Sequence, residues 1–103
     1  MTQQLDPTVR EFVDALNDND SERLQAVLTE DASMSDDGVE RNLAQWTDSE
    51  IFRSNGRMNV ESVDAGGTAL LAEYTNSRWG SMRTAWRFTV RDGKISRFET
   101  GQA

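Results

Sequence analysis

The clearest pattern in this chain is an alternation of apolar and polar residues near the C-terminus, between Ser81 and Phe98. A period of two is typical of a strand with one buried face. Asp92-Gly93 follows the alternation, and this dipeptide favours a two-residue turn between strands. The segment therefore predicts a β-hairpin. The less polar positions of its first strand are Met82, Thr84, Trp86, Phe88 and Val90.

Two amphipathic helices are predicted in the first 30 residues. Asp6 precedes Pro7, and a capping carboxylate followed by proline is a typical helix start. After the polar run 17–20, Asp20 or Ser21 can cap the second helix. Apolar residues recur at helical spacing in both segments. The two faces comprise Val9, Phe12, Val13 and Leu16, and then Leu24, Val27 and Leu28.

A third helix is predicted after an extended piece at 32–35 and a turn at 36–38. Asn42 can cap this helix, and Asn55-Gly56 can supply the left-handed residue that ends it. Beyond Gly56 the pattern predicts strands at 58–63 and 69–75. Because helices come first and antiparallel strands last, the predicted class is α+β. The length of 103 residues indicates a single domain covering 1–103.

Composition excludes more chemistry than it indicates. The net charge of -7 repels phosphate backbones and anionic lipid, so neither nucleic acid nor a membrane is an expected partner. The absence of Cys and His excludes disulfides, thiolate nucleophiles, Cys/His zinc sites and an imidazole base within one chain. No metal or cofactor is expected. Without a signal-like start or an apolar run near roughly 20 residues, the expected location is cytoplasmic.

The order of elements resembles the nuclear transport factor two-like superfamily, especially its SnoaL-like and ketosteroid-isomerase-like members. Segments 9–17, 24–32 and 86–95 carry this resemblance, which extends over roughly residues 9–101. It implies a cone-shaped antiparallel sheet, strongly curved and wrapped around three N-terminal helices, with an apolar pocket at its open end. Related proteins often pair through the outer sheet face. A homodimer is therefore expected, with Arg83 and Arg87 reaching Glu73 or Glu61 across the interface.

Asp36 is the candidate catalytic residue, because it matches the proton-shuttling aspartate of the isomerases. An apolar surrounding disfavours the charged form of a carboxylate, which suits a general base. In the alternative, Asp36 is a turn residue that bonds nearby amides. The isomerases also use a tyrosine and a protonated aspartic acid as an oxyanion hole. Phe12 and Thr84 occupy those matching positions here, so steroid isomerisation is not expected.

The other site candidates are aromatic or apolar. They either line a pocket for a flat ligand, oriented by Trp N–H and Tyr O–H groups, or fill the core. Trp79, in the connection before the C-terminal hairpin, is a candidate for a rim contact, a dimer contact or a lid. The candidate pocket residues are Phe12, Leu16, Trp46, Phe52, Tyr74, Met82 and Trp86.

Three functions remain open at this point. The leading hypothesis is a homodimeric domain that binds a small apolar or aromatic ligand. The second is an isomerase, cyclase or dehydratase with Asp36 as general base, where Thr84, Tyr74 or a Trp N–H positions a carbonyl. The third is a protein-interaction module that uses the exposed sheet face and takes no ligand. The fold alone does not choose among these functions.

Overall fold

Six strands form one curved sheet in the computed structural model, which describes residues 4–103. The strands are β1 (Leu28–Asp36), β2 (Val39–Arg41), β3 (Arg57–Asp64), β4 (Ala69–Asn76), β5 (Gly80–Arg91) and β6 (Lys94–Gln102). Their order across the sheet is β2-β1-β6-β5-β4-β3. The strand pairs are antiparallel except for β1 with β6, which are parallel. The sheet is therefore mixed.

The helices lie before and between the first strands. They are α1 (Pro7–Asn17), α2 (Ser21–Ala26) and α3 (Leu43–Thr47), and α3 continues into a π-helical turn, Asp48–Phe52. A short 3-10 turn, Ala65–Gly67, joins β3 to β4. Three helices with a curved sheet confirm the predicted α+β cone. No helix within residues 4–103 is long and apolar enough to cross a membrane.

Side-chain caps start the three helices where the sequence predicts. The Asp6 carboxylate accepts from the N–H groups of Thr8 and Val9, at 2.8 and 3.4 Å. Asp20, rather than Ser21, caps α2 by accepting from Arg23 N–H. At α3, Asn42 accepts from the backbone N–H of Gln45 at 2.9 Å. These bonds satisfy N–H groups that the first helical turn leaves without a backbone partner.

The first strand differs from the prediction. Leu28, expected on the second helix, begins β1 instead, and the predicted extended piece at 32–35 is part of this nine-residue strand. Pairing with β6 explains the difference, since Leu28 lies opposite Ile95 and Ile95 N–H donates to the Val27 carbonyl at 2.7 Å. Non-local pairing therefore overrides the local helical spacing. The strand β2 was not predicted.

The C-terminal hairpin is confirmed. Asp92 and Gly93 have φ values of 52° and 74°, as a two-residue turn between twisted strands requires. Phe88 lies opposite Phe98 in the β5–β6 pair. On β5 the inward positions Thr84, Trp86 and Phe88 are buried, as the period of two predicts.

Phe12 joins α1 to the middle of the sheet. It is fully buried, and its ring centroid lies 5.1 Å from that of Phe88 and 5.2 Å from that of Phe98. The Phe12–Phe88 contact is edge-to-face, a geometry that adds stability beyond the buried area. The core is thus built from rings carried by one helix and two paired strands.

Replacing Phe12 with alanine should lower the free energy of unfolding by about 3–5 kcal/mol, because the cavity left in this ring cluster cannot collapse fully. Urea denaturation measures the loss. Arg10→Ala, on the exposed side of the same helix, should stay within about 0.5 kcal/mol of wild type. Equal effects of the two substitutions would contradict this description of the core.

Candidate functional site

A cavity of about 280 Å³ opens at the end of the sheet where β1, β4 and β6 finish and β5 begins. The helix α3 and its π-helical turn form the opposite wall. The lining combines four aromatic side chains with three acidic and four neutral polar ones. Its residues are Asp36, Asp37, Trp46, Glu50, Tyr74, Asn76, Trp79, Met82, Thr84, Trp86, Thr100, Gly101 and Gln102.

Strand register brings three of these residues into one row. Asp36 on β1 lies opposite Thr100 on β6, and Thr100 lies opposite Trp86 on β5. Residues in register on adjacent strands project from the same face of a sheet. The row therefore places a carboxylate, a hydroxyl and an indole side by side on the concave face.

Asp36 is half-buried and bound to α3. Its Oδ2 accepts from Trp46 Nε1 at 3.0 Å. The turn that follows is formed by Asp37 and Gly38, with φ values of 50° and 80°, and Asp37 Oδ1 accepts from Gln102 N–H on β6 at 2.9 Å. The Asp36 carboxylate is consequently not occupied by turn amides.

Glu50, which the sequence analysis did not single out, holds the opposite wall together. Its backbone carbonyl accepts from the Tyr74 hydroxyl at 2.6 Å and from Asn76 Nδ2 at 2.9 Å. Its carboxylate accepts from Trp79 Nε1 at 2.5 Å and pairs with Arg78. One residue of the π-helical turn thereby fixes the end of β4 and the loop that follows it.

Asn76 completes this attachment from inside the sheet. It is 3% exposed, and its Oδ1 accepts from the backbone N–H groups of Arg78 and Trp79 at 3.1 and 2.8 Å. The loop thus places Trp79, which is 58% exposed, at the rim of the cavity. The sequence carried one signal for Asn76, because it follows Tyr74 at a spacing of two and so falls on the buried face.

Tyr74 is held as a hydrogen-bond donor. Burial raises the pKa of its hydroxyl, and the negative charge of Glu50 acts in the same direction. The hydroxyl therefore keeps its proton and donates a hydrogen bond to the Glu50 carbonyl. Gly56 leaves room for the Tyr74 hydroxyl, since a Cβ at position 56 would collide with this hydroxyl.

Thr84, the other candidate for catalysis, is also committed within the protein. Its hydroxyl donates to the Ala72 carbonyl at 3.1 Å and accepts from Trp86 Nε1 at 2.7 Å. Its one proton is therefore directed into the sheet, although the side chain lines the cavity. In this arrangement Thr84 orients an indole.

The predicted pocket residues separate into two groups. Trp46, Tyr74, Met82 and Trp86 line the cavity. Phe12 and Leu16 lie fully buried in the core, because α1 packs against the middle of the sheet. Phe52 is half-buried against the same core and does not line the cavity.

Arg83 and Arg87 lie on the outer face of β5 and are both exposed. Arg83 Nε pairs with Glu61 Oε1 of the same chain at 2.9 Å, so this pair does not require an interface. Arg87 has no ion-pair partner within residues 4–103. In the same described part of the chain, no three acidic side chains are grouped to hold a metal ion.

Comparison with known proteins agrees with this architecture. The family model of the SnoaL-like domain matches residues 9–98. No curated protein matches the sequence. A structure of a candidate polyketide cyclase from Sinorhizobium meliloti is similar, with a TM-score of 0.77, 21% identity, and coverage of 93% of this chain and 94% of that one.

Two further solved structures share the fold. One is an NTF2-like protein of unknown function from Cytophaga hutchinsonii, with a TM-score of 0.75, 16% identity, and coverage of 100% of this chain and 95% of that chain. The other is an LEH-like epoxide hydrolase of M. tuberculosis, with a TM-score of 0.70, 21% identity, and coverage of 93% and 80%. At identities this low, the structural similarity establishes a common fold and no more.

Asn76→Ala should detach the Trp79 loop and lower the free energy of unfolding by about 1–3 kcal/mol, because a buried side chain that binds the Arg78 and Trp79 N–H groups and the Glu50 carbonyl is lost. Urea denaturation measures the stability, and faster hydrogen exchange at the Trp79 indole reports the loop. Asn59→Ala, on the exposed face of β3, is the control and should change stability by less than about 0.5 kcal/mol. Equal effects of both variants would refute the role given to Asn76.

Proposed function

Because the chain belongs to the SnoaL-like domain family, we propose that it binds a small apolar or aromatic ligand in the cavity at the end of the sheet. The observation that carries the proposal is the aromatic wall formed by Trp46, Tyr74 and Trp86 with Trp79 at the rim. Typical ligand pockets have volumes of roughly 300–1,000 Å³. At about 280 Å³ this cavity suits a ligand of one or two rings.

The wall needs no ligand to hold its shape. The indoles of Trp46, Trp79 and Trp86 are each fixed by a hydrogen bond to a protein acceptor. The Tyr74 hydroxyl is fixed in the same way. A cavity whose side chains are already ordered loses less entropy when a ligand enters. This preorganisation supports a binding role.

General-base catalysis by Asp36 is the second candidate function. Its support is the position of the Asp36 carboxylate, which lines the cavity with one oxygen bound to Trp46. An isomerase, cyclase or dehydratase of this kind must also stabilise negative charge on a substrate oxygen. The candidate donors for that task, Thr84, Tyr74 and the indoles, already donate to protein acceptors. Binding without turnover is therefore better supported.

We also propose that the protein forms a homodimer through the outer face of the sheet. Leu71, Ala85 and Gly101 lie in register and form a strip of apolar residues, two of them small, across β4, β5 and β6. Leu71 is 38% exposed. Beside this strip, Glu73 and Arg87 have no ion-pair partner within residues 4–103. In a two-fold dimer every contact between the copies occurs twice, so Arg87 of each copy can face Glu73 of the other. Such rim pairs orient the copies more than they stabilise them.

Ligand binding is tested by thermal shift with a panel of one- and two-ring aromatics that includes neutral, cationic and anionic compounds. A compound at 100 times its Kd should stabilise the wild type by about 2.7 kcal/mol. Met82→Trp fills the cavity and should abolish the shift. Val39→Trp introduces the same side chain at an exposed position of β2 and should retain it. The proposal fails if no compound in the panel binds, or if Met82→Trp binds as well as wild type.

Sedimentation equilibrium tests the dimer. Arg87→Glu should weaken association roughly tenfold or more, because like charges then oppose each other across the interface. Adding Glu73→Arg to Arg87→Glu should restore it. Arg10→Glu makes the same charge change on the exposed face of α1 and should have no effect. A wild-type protein that stays monomeric at high concentration would disprove the dimer.

A further inference from the structure

We infer that the ligand of the cavity carries a protonated amine on its apolar body, an inference that rests on the proposed binding function. The first step is a count of hydrogen-bond donors in the wall. The three indole N–H groups, the hydroxyls of Tyr74 and Thr84, and the Asn76 amide all donate to protein acceptors. The wall therefore has few donors left for a ligand that needs to accept hydrogen bonds.

The second step concerns the acceptors that remain. Asp36 Oδ1 has no hydrogen-bond partner within residues 4–103, since Trp46 binds Oδ2. The Thr100 hydroxyl also has none in that part of the chain, although Thr100 is only 8% exposed and lines the cavity. Asp36 and Thr100 lie opposite each other on β1 and β6. Two acceptors thus lie side by side and face the ligand space.

The third step is the balance of charge. No Lys or Arg lines the cavity within the described residues, whereas three carboxylates do. Arg78 offsets the charge of Glu50. Asp36 has no ion-pair partner anywhere in residues 4–103, and the one bond that holds it comes from a neutral indole. The row that faces the ligand therefore retains a negative charge.

The fourth step is the nature of the wall. Trp86 lies next to Thr100 in the same row, and Trp46 approaches from the helix. The ring of Trp79 already carries the Arg78 guanidinium, 5.7 Å from its centroid. Among aromatic side chains, tryptophan attracts a cation to its ring face most strongly. An ammonium group can donate to Asp36 and Thr100 while the apolar body of its molecule contacts the rings. A carboxylate or phosphate would be repelled by Asp36.

Two neutral groups remain as weaker alternatives for ligand contact. The Thr100 hydroxyl can donate as well as accept, and the Gln102 amide lies exposed at the rim. Neither compensates a charge. A neutral ligand would leave the Asp36 carboxylate partly desolvated without a counter-charge, which is costly. The protonated amine is the ligand class that satisfies both the hydrogen bonds and the charge.

Three probes that share a phenylethyl group test the inference by titration at pH 7. They are 2-phenylethylamine, which is protonated at this pH, neutral propylbenzene and the anion 3-phenylpropionate. Because all three tryptophans line the cavity, their indole N–H signals in NMR spectra report occupancy. The amine should bind about tenfold more tightly than propylbenzene, and the anion most weakly.

Variants then locate the charge that selects the amine. Asp36→Asn keeps an acceptor for Trp46 and should lower amine affinity to that of propylbenzene, without changing propylbenzene binding. Thr100→Val should weaken the amine alone. Asp14→Asn removes the same charge from an exposed position of α1 and should have no effect.

The possible failures separate the two proposals. If propylbenzene binds wild type as tightly as the amine, the inference is overturned and the binding function stands. An equal loss in Asp14→Asn and Asp36→Asn would also overturn it, since the preference would then come from overall charge. If none of the three probes binds, the inference and the proposed cavity both fail.

Discussion

The packing of aromatic rings across the sheet is the constraint from which the other features follow. Phe12 presses α1 against Phe88 and Phe98. Trp86 stacks on both of these rings, with interplanar angles of 10° and 28°, and Trp46 meets Trp86 edge-on at a centroid distance of 6.2 Å. The ring cluster thus runs without a break from the core to the wall of the cavity, and the cavity begins where α1 no longer covers the sheet.

Burying so many amphipathic rings has a chemical consequence for the site. A buried indole N–H or phenol O–H requires an acceptor, since an unpaired one costs free energy. Thr84 and Asp36 provide the acceptors for the buried indoles of Trp86 and Trp46, and the Glu50 carbonyl serves Tyr74. The Glu50 carboxylate binds the indole of the exposed Trp79. The donors are therefore used to stabilise the fold. What remains for a ligand is an acceptor-rich surface, which connects the packing of the core to the preference proposed for the site.

Local signals predicted the parts of the structure that depend on local chemistry. The caps at Asp6 and Asn42 and the turn at Asp92-Gly93 form as expected, because their hydrogen bonds and φ values involve neighbouring residues. The full length of β1 and its parallel pairing with β6 were not predictable, since the partner strand lies some 60 residues away in sequence. The resemblance placed Asp36 in the candidate site. Glu50 and Thr100 could not be found by pattern, because their partners or their exposure depend on tertiary packing.

The central claim is that the hydrogen-bond donors of the cavity wall already donate to acceptors within the protein. Hydrogen exchange of the indole N–H protons tests this claim most directly. Trp86 is 2% exposed and its indole N–H is bound to Thr84, and Trp46 is 6% exposed and its indole N–H is bound to Asp36. Both protons should exchange with solvent far more slowly than those of free tryptophan, without any ligand present. Exchange of the Trp86 proton at the rate of free tryptophan would show an available donor and contradict the account.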